Sequence, residues 1–206
     1  MLVDKPAGPS SFAIVRELRN KTGARAGHAG TLDPFATGLL LVLLGRFTKQ
    51  AQRFVGLGKE YEAAVDLSAT TTTGDPEGEI VEEREPPAEE ELRERIAALR
   101  GEVDLRIPAA SAVKIGGERA YRLMRRGVEV DMPLRRTSVY ALELVDYDGH
   151  VARLHAHVGS GAYVRSLAEA LGGHCVSLRR TAVGPFRVED ADPERVIPDE
   201  QALAAL

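Results

Sequence analysis

The run Leu39-Leu40-Leu41-Val42-Leu43-Leu44 is the longest apolar stretch of the chain, and Gly45 ends it. It is continuous rather than alternating. That pattern reads as a strand buried on both faces, with a buried helical turn as the alternative. It is far too short to span a bilayer. The stretch before it, Gly23 to Gly38, is rich in glycine and lacks helical periodicity.

The other elements follow from spacing. Ser11 caps a helix over Phe12 to Lys21, with Phe12, Val15 and Leu18 on one face. Thr48 to Val55 reads as a short helix. Tyr61, Ala63, Val65 and Leu67 alternate with Glu62, Ala64 and Asp66, the mark of a half-buried strand. Thr70 to Gly78 is a turn-rich loop. Ala88 to Leu99 is an amphipathic helix with Leu92, Ile96 and Leu99 inward, and Ala120 to Arg126 is a shorter one ended by Gly127. Ser138 to Tyr147 and His150 to Val158 form a hairpin over Asp148-Gly149. Tyr163 to Leu171 is helical. Strands joined by hairpins, without regular βαβ alternation, predict an α+β fold. No internal repeat or long linker divides residues 1–206, so one domain is expected.

Composition narrows the class. With 206 residues, 44% hydrophobic and 28% charged, the chain is globular rather than disordered. Its single cysteine, Cys175, excludes an internal disulfide and reads as a buried, inert thiol. The N-terminus lacks a basic segment followed by an apolar run, so a cytoplasmic protein is expected. The net charge of -4 hides an uneven distribution. Residues 1–60 hold nine Lys/Arg against four Asp/Glu, a net of +5, whereas residues 61–104 hold four against fourteen, a net of -10. The acids cluster between Asp75 and Glu94, as on a solvated loop and helix face. The remainder is mildly basic and compatible with a phosphate-binding surface.

Generic motifs exclude several chemistries. There is no Gly-x-Gly-x-x-Gly and no P-loop to hold a nucleotide cofactor. His155 and His157 share one strand face, but no third ligand accompanies them, so no metal is expected. Gly27-His28-Ala29-Gly30-Thr31-Leu32-Asp33-Pro34-Phe35-Ala36-Thr37-Gly38 stands apart. Its glycines and proline fix an irregular backbone around one carboxylate, although Asp33-Pro34 alone also fits an ordinary turn. Gly159 to Leu167 is a second glycine-rich approach to a helix and carries Arg165. Lys59-Glu60-Tyr61 places a tyrosine at the start of a strand. A carboxylate, an arginine to pair with it and an aromatic face for a base would together suit a uridine site.

These segments resemble the TruB family of tRNA pseudouridine synthases along almost the whole chain. Asp4-Lys5-Pro6-Ala7-Gly8-Pro9-Ser10-Ser11 is similar to the family's opening D-K-P-x-G-x-T/S-S, and Gly27 to Gly38 to its G-H-x-G-T-L-D-P-x-A-T-G loop. Lys59-Glu60-Tyr61 matches K-x-Y. Ile107 to Lys114, with Arg119-Ala120-Tyr121, matches P-P-x-Y-S-A-x-K and A-Y. Gly161 to Leu167 matches G-T-Y-I-R-S/T-L, and Leu178 to Phe186 matches L-R-R-T-x-V-G-P-F. The chain departs from the pattern at Ser68, Thr72 and Ala110, where the family prefers Gly, Asp and Tyr. The strand before Asp4 is expected to be short or missing.

The resemblance implies the α+β pseudouridine synthase core, a mixed, largely antiparallel sheet flanked by helices, with 175–206 its short C-terminal part and no C-terminal PUA-type domain. It implies isomerisation of uridine 55 in the T-loop of tRNA, without metal or organic cofactor, by a monomer acting on the T-arm. Asp33 becomes the catalytic aspartate, Tyr61 the residue packed on the base, and Arg165 the partner of Asp33. His28 would help hold the extruded nucleotide, and Leu178 would wall the uracil pocket. Candidates to hold the RNA backbone are Lys5, Arg16, Arg19, Lys21, Arg25, Lys49, Lys114, Arg119, Arg125, Arg126, Arg179 and Arg180. Replacing Arg165 is expected to reduce catalysis more than folding. The alternatives are a synthase with another RNA target and a non-catalytic RNA-binding or RNA-folding module.

Overall fold

The computed structural model describes residues 1–206, the side chain of Asp199 excepted. The chain runs through β1 (Leu2–Lys5), α1 (Ser11–Thr22), β2 (Ala26–His28), β3 (Thr37–Leu44), α2 (Ala51–Val55) and β4 (Lys59–Asp66). Then come β5 (Ala69–Thr71), β6 (Ile80–Glu83), α3 (Glu89–Ala98), β7 (Gly101–Arg106), β8 (Lys114–Ile115), β9 (Glu118–Arg119) and α4 (Ala120–Arg125). The last elements are β10 (Leu134–Tyr147), β11 (Val151–Val158), α5 (Val164–Leu171), β12 (His174–Val183), β13 (Phe186–Arg187) and α6 (Asp199–Ala204). Among the described residues, nine strands make a mixed, largely antiparallel sheet accompanied by helices, the α+β class expected.

The fold divides into two compact units. One comprises Met1–Glu62, His157–Ser160 and Ser177–Leu206; the other comprises Ala63–Ala156 and Gly161–Val176. Each is assembled from separated segments, which is why no linker in the sequence marks the division.

In the first unit β3 is the central strand. β1 pairs with it antiparallel, from Leu2↔Leu41 to Lys5↔Gly38, and β12 pairs parallel at Arg179↔Thr37 and Arg180↔Gly38. The strand is buried on both faces, as the continuous apolar run requires. Leu39, Leu41 and Leu43 pack with Phe54, Val183 and Phe186, while Leu40 and Val42 pack with Val15 and Leu18 of α1. The cap of α1 is Ser10, whose Oγ accepts from the Ala13 N–H at 3.2 Å, so the helix begins one residue earlier than expected. Its buried stripe is Ser11, Val15 and Leu18. Phe12 lies about 100° round the helix from Ser11 and is exposed, a correction to the inward position expected for it. The opening strand is present as the four-residue β1, and β12 is an element the spacing did not disclose.

In the second unit β10 pairs antiparallel with β7, from Leu134↔Arg106 to Val139↔Gly101. The turn before β11 is closed by Asp148, whose Oδ1 accepts from the N–H groups of His150 (2.9 Å) and Val151 (2.8 Å). Gly149 takes φ +96°, which the turn needs. The helix α3 buries Leu92 and Ile96 and keeps its acids at the surface, where Glu89 and Glu91 pair with Arg93 and Arg95. Among the described residues no helix is long and apolar enough to cross a membrane.

Candidate active site

Asp33 sits in the loop between β2 and β3, and the first unit holds that loop at nearly every neighbouring carbonyl. The Ser11 hydroxyl donates to Leu32 O at 2.9 Å and accepts from the Leu32 N–H at 2.8 Å. Pro34 O accepts from the Gly8 N–H at 2.8 Å and from Lys5 Nζ at 3.1 Å. Arg180 donates through Nη2 to Gly30 O (3.1 Å), through Nη1 to Thr31 O (3.4 Å) and through Nε to Leu39 O (2.7 Å). Ala36 N–H returns to Asp33 O at 3.2 Å, which closes the Asp-Pro turn. The backbone on both sides of the half-buried Asp33 is therefore fixed before any substrate arrives, which is what a positioned carboxylate requires.

This geometry corrects two expectations. Lys5 and Arg180 are among the residues expected to hold an RNA backbone, but both side chains are fully buried. A buried cation must have its donors satisfied by protein oxygens, and here they are carbonyls of the Asp33 loop and its neighbours, Pro6 O included at 2.8 Å from Lys5 Nζ. Burial lowers the Lys5 ammonium below its ordinary range; the Asp33 carboxylate opposes that shift and Arg180 adds to it. These two side chains hold the loop.

Lys59 is the third buried cation of the first unit. Its Nζ donates to Val55 O (2.9 Å) and Leu57 O (2.6 Å), and its Cε would lie 3.4 Å from a Cβ on Gly30. Burial, with Arg180 second, brings its pKa down to about 8. Tyr61 is buried two residues farther along β4, on the same face as Lys59 by strand alternation. The motif Lys-Glu-Tyr drew attention to Tyr61; Lys59 was the residue overlooked beside it. The folded protein gives up the Lys59 proton near pH 8 and the unfolded chain near 10.5. Between those values the unfolded chain binds more protons, so stability rises with pH across that window, and below it the penalty is constant. Lys59→Met is expected to abolish this rise. Denaturant titrations of both proteins through the window check it, and parallel curves would contradict it.

His28 closes β2, half-buried, with Nδ1 buried and without a hydrogen-bond partner. Burial first, then Arg180, lowers its pKa, so the imidazole is neutral at neutral pH. Leu178 is buried on the same face of β12 as Arg180. Arg179 turns to the opposite face and grips Asp4 with both nitrogens, at 3.0 and 2.7 Å, a pairing that raises its pKa further. The first unit thus gathers Lys5, His28, Asp33 and Arg180, with Tyr61 and Leu178 on strands of the same unit.

Lys114 and Arg165 belong to the second unit. Lys114 is exposed on β8. Arg165 is 2% exposed and donates to Thr73 O (2.7 Å) and Ala110 O (3.0 Å), while Asp75, 4% exposed, lies 3.3 Å away. Asp75 belongs to the acidic stretch expected to be solvated, yet it is buried, a correction; the Thr73-Gly74-Asp75 turn is the signal in the sequence of something tighter. The Asp75 carboxylate is held by Thr73 Oγ1 at 2.5 Å and the Glu77 N–H at 3.1 Å. Removing one partner of a buried pair leaves the other charge stranded. Arg165→Met is therefore expected to cost about 3–5 kcal/mol of stability, a larger share for folding than the sequence suggests. Adding Asp75→Asn should recover part of that loss in chemical denaturation; a single variant as stable as wild type would contradict the role.

Residues 16–164 match the model of the TruB family pseudouridylate synthase N-terminal domain. The tRNA pseudouridine synthase B of Corynebacterium jeikeium (strain K411) is 41% identical over 98% of this chain and 72% of its own length. That of Geobacillus kaustophilus (strain HTA426) is 39% identical over 100% and 79%. Among solved structures, a chain in a Cbf5-Nop10-Gar1 complex superposes with TM-score 0.68 at 30% identity, over 90% of this chain and 49% of that one. This chain thus spans about half the length of that structural neighbour. A pseudouridylate synthase at 16% identity and TM-score 0.52 shares the fold. Taken with the clamped aspartate loop, these matches place the chain in the TruB family of pseudouridylate synthases.

Proposed function

We propose that the chain isomerises uridine 55 in the T-loop of tRNA to pseudouridine, with Asp33 as the catalytic aspartate. The observation that carries this reading is the Asp33 loop, pinned at Gly30, Thr31, Leu32 and Pro34 within a chain of this family. The reaction breaks the bond from N1 to C1′, turns the uracil and joins C5 to C1′. The C5 proton leaves and N1 takes one up, so substrate and product have the same composition and no co-reactant is consumed.

Extruding the uridine from a folded loop costs roughly a few kcal/mol. Tyr61 packs on the freed base, Leu178 walls the pocket, and the neutral His28 helps hold the extruded nucleotide. Arg165 is assigned to the site on its motif alone. Arg179 and Lys114 are the RNA-contacting members of the set, Arg179 oriented by Asp4. The protein acts as a cytoplasmic monomer on the T-arm. Tritium release from a tRNA transcript labelled at C5 of uridine tests the reading. One equivalent per tRNA is expected, and no release from a folded, RNA-bound protein would overturn it.

A further inference from the structure

Phe12 is 62% exposed, and its place makes that exposure informative. Scattered exposed apolar residues are ordinary on a protein surface. This one directly follows Ser11, whose hydroxyl grips Leu32, the neighbour of Asp33. At 100° per residue, Arg16 and Arg19 fall within about 40° of Phe12 on α1, roughly 6 and 10 Å farther along the axis. Both are exposed, and neither side chain has an ion pair or hydrogen bond among the described residues. Lys21, on another side of the helix, is engaged with Glu194. One face of α1 therefore begins beside the Asp33 loop with an open aromatic ring and continues with two unengaged guanidinium groups. An aromatic ring accepts any unpaired base, and cations spaced along a helix suit successive phosphates.

We infer that Phe12, Arg16 and Arg19 form a docking strip for the RNA strand flanking the target uridine, Phe12 stacking an unpaired base and the arginines holding phosphates. The occupant is the substrate strand because the strip starts one residue after Ser11, which binds the Asp33 loop, and lies in the most basic part of the chain, +5 over residues 1–60. The inference rests on the functional reading above.

Wild-type tritium release is measured first, since its absence would refute that reading and not the strip alone. Given an active wild type, Phe12→Ala should raise KM for tRNA about tenfold, toward the low end of what one base–aromatic stack contributes. Its kcat and Tm should match wild type. Phe12→Tyr should retain the wild-type KM, whereas Phe12→Leu should behave like the alanine variant. Replacing both Arg16 and Arg19 by alanine should flatten the slope of log Kd against log salt by about 1.4, two phosphate contacts on a single strand. A KM within twofold of wild type for Phe12→Ala or Phe12→Leu, or an unchanged salt slope, would overturn the strip while leaving the functional reading intact.

Discussion

Asp33→Asn should bind tRNA and release no tritium from it. The substitution keeps the size of the side chain and removes the charge. The contacts that shape the loop are made by the backbone of Gly30, Thr31, Leu32 and Pro34 with Ser11, Gly8, Lys5 and Arg180, so the variant keeps its scaffold. A loss confined to turnover, on the order of 10⁴-fold or more, is the expected signature of a group acting on the reacting atoms. The Tm and the Kd for tRNA should stay close to wild type. A residual rate within tenfold of wild type would mean that another group performs the chemistry.

The largest structural effect is expected at Gly38. It takes φ +100° where β3 and β12 run side by side, and a Cβ there would lie 2.2 Å from Arg180 O, 2.7 Å from its N and 2.9 Å from its carbonyl carbon. All three are backbone atoms, so no rotamer change relieves the clash. The strands must separate, and Arg180 then loses its hold on Gly30, Thr31 and Leu39. Gly38→Ala is expected to cost more than about 4 kcal/mol, the range reserved for backbone strain combined with core disruption. Against a typical total of about 5–15 kcal/mol, that is a large share of the stability. Gly23→Ala is the control: φ is +66° at the end of α1 but nothing lies within 4 Å of its Cβ, so only about 1 kcal/mol is at stake. Equal melting temperatures for the two variants would contradict this account.

Where pattern maps directly onto packing, the fold was legible. The apolar run of β3, the hairpin turn at Asp148-Gly149 and the inward Leu92 and Ile96 of α3 emerged as expected; Leu99, expected inward as well, caps the helix and is half-buried. Phe12 misled because Phe12, Val15 and Leu18 satisfy helical spacing as well as Ser11, Val15 and Leu18 do. What decides between them is the hydroxyl of Ser11, which has Leu32 to bind. β12 was hidden by its own arginines, since two adjacent charges argue against a central strand until Arg180 is seen donating to three carbonyls. The same limit applied to the site. A sequence reports that Lys5 and Arg180 are charged, not that they are buried, and the glycine-rich loop that leaves carbonyls open for them was the one available hint. The acidic stretch behaved largely as a solvated face, with the exception of Asp75, which a buried arginine takes inward.

On the proposed function, this chain makes pseudouridine at one position of tRNA. The most direct measurement treats an unmodified tRNA transcript with the purified protein, marks pseudouridine with a carbodiimide and maps the reverse-transcription stops. A single new stop reporting position 55, absent with Asp33→Asn, is the predicted result. No stop, a stop at another uridine, or one that forms only when a guide RNA is added would contradict it.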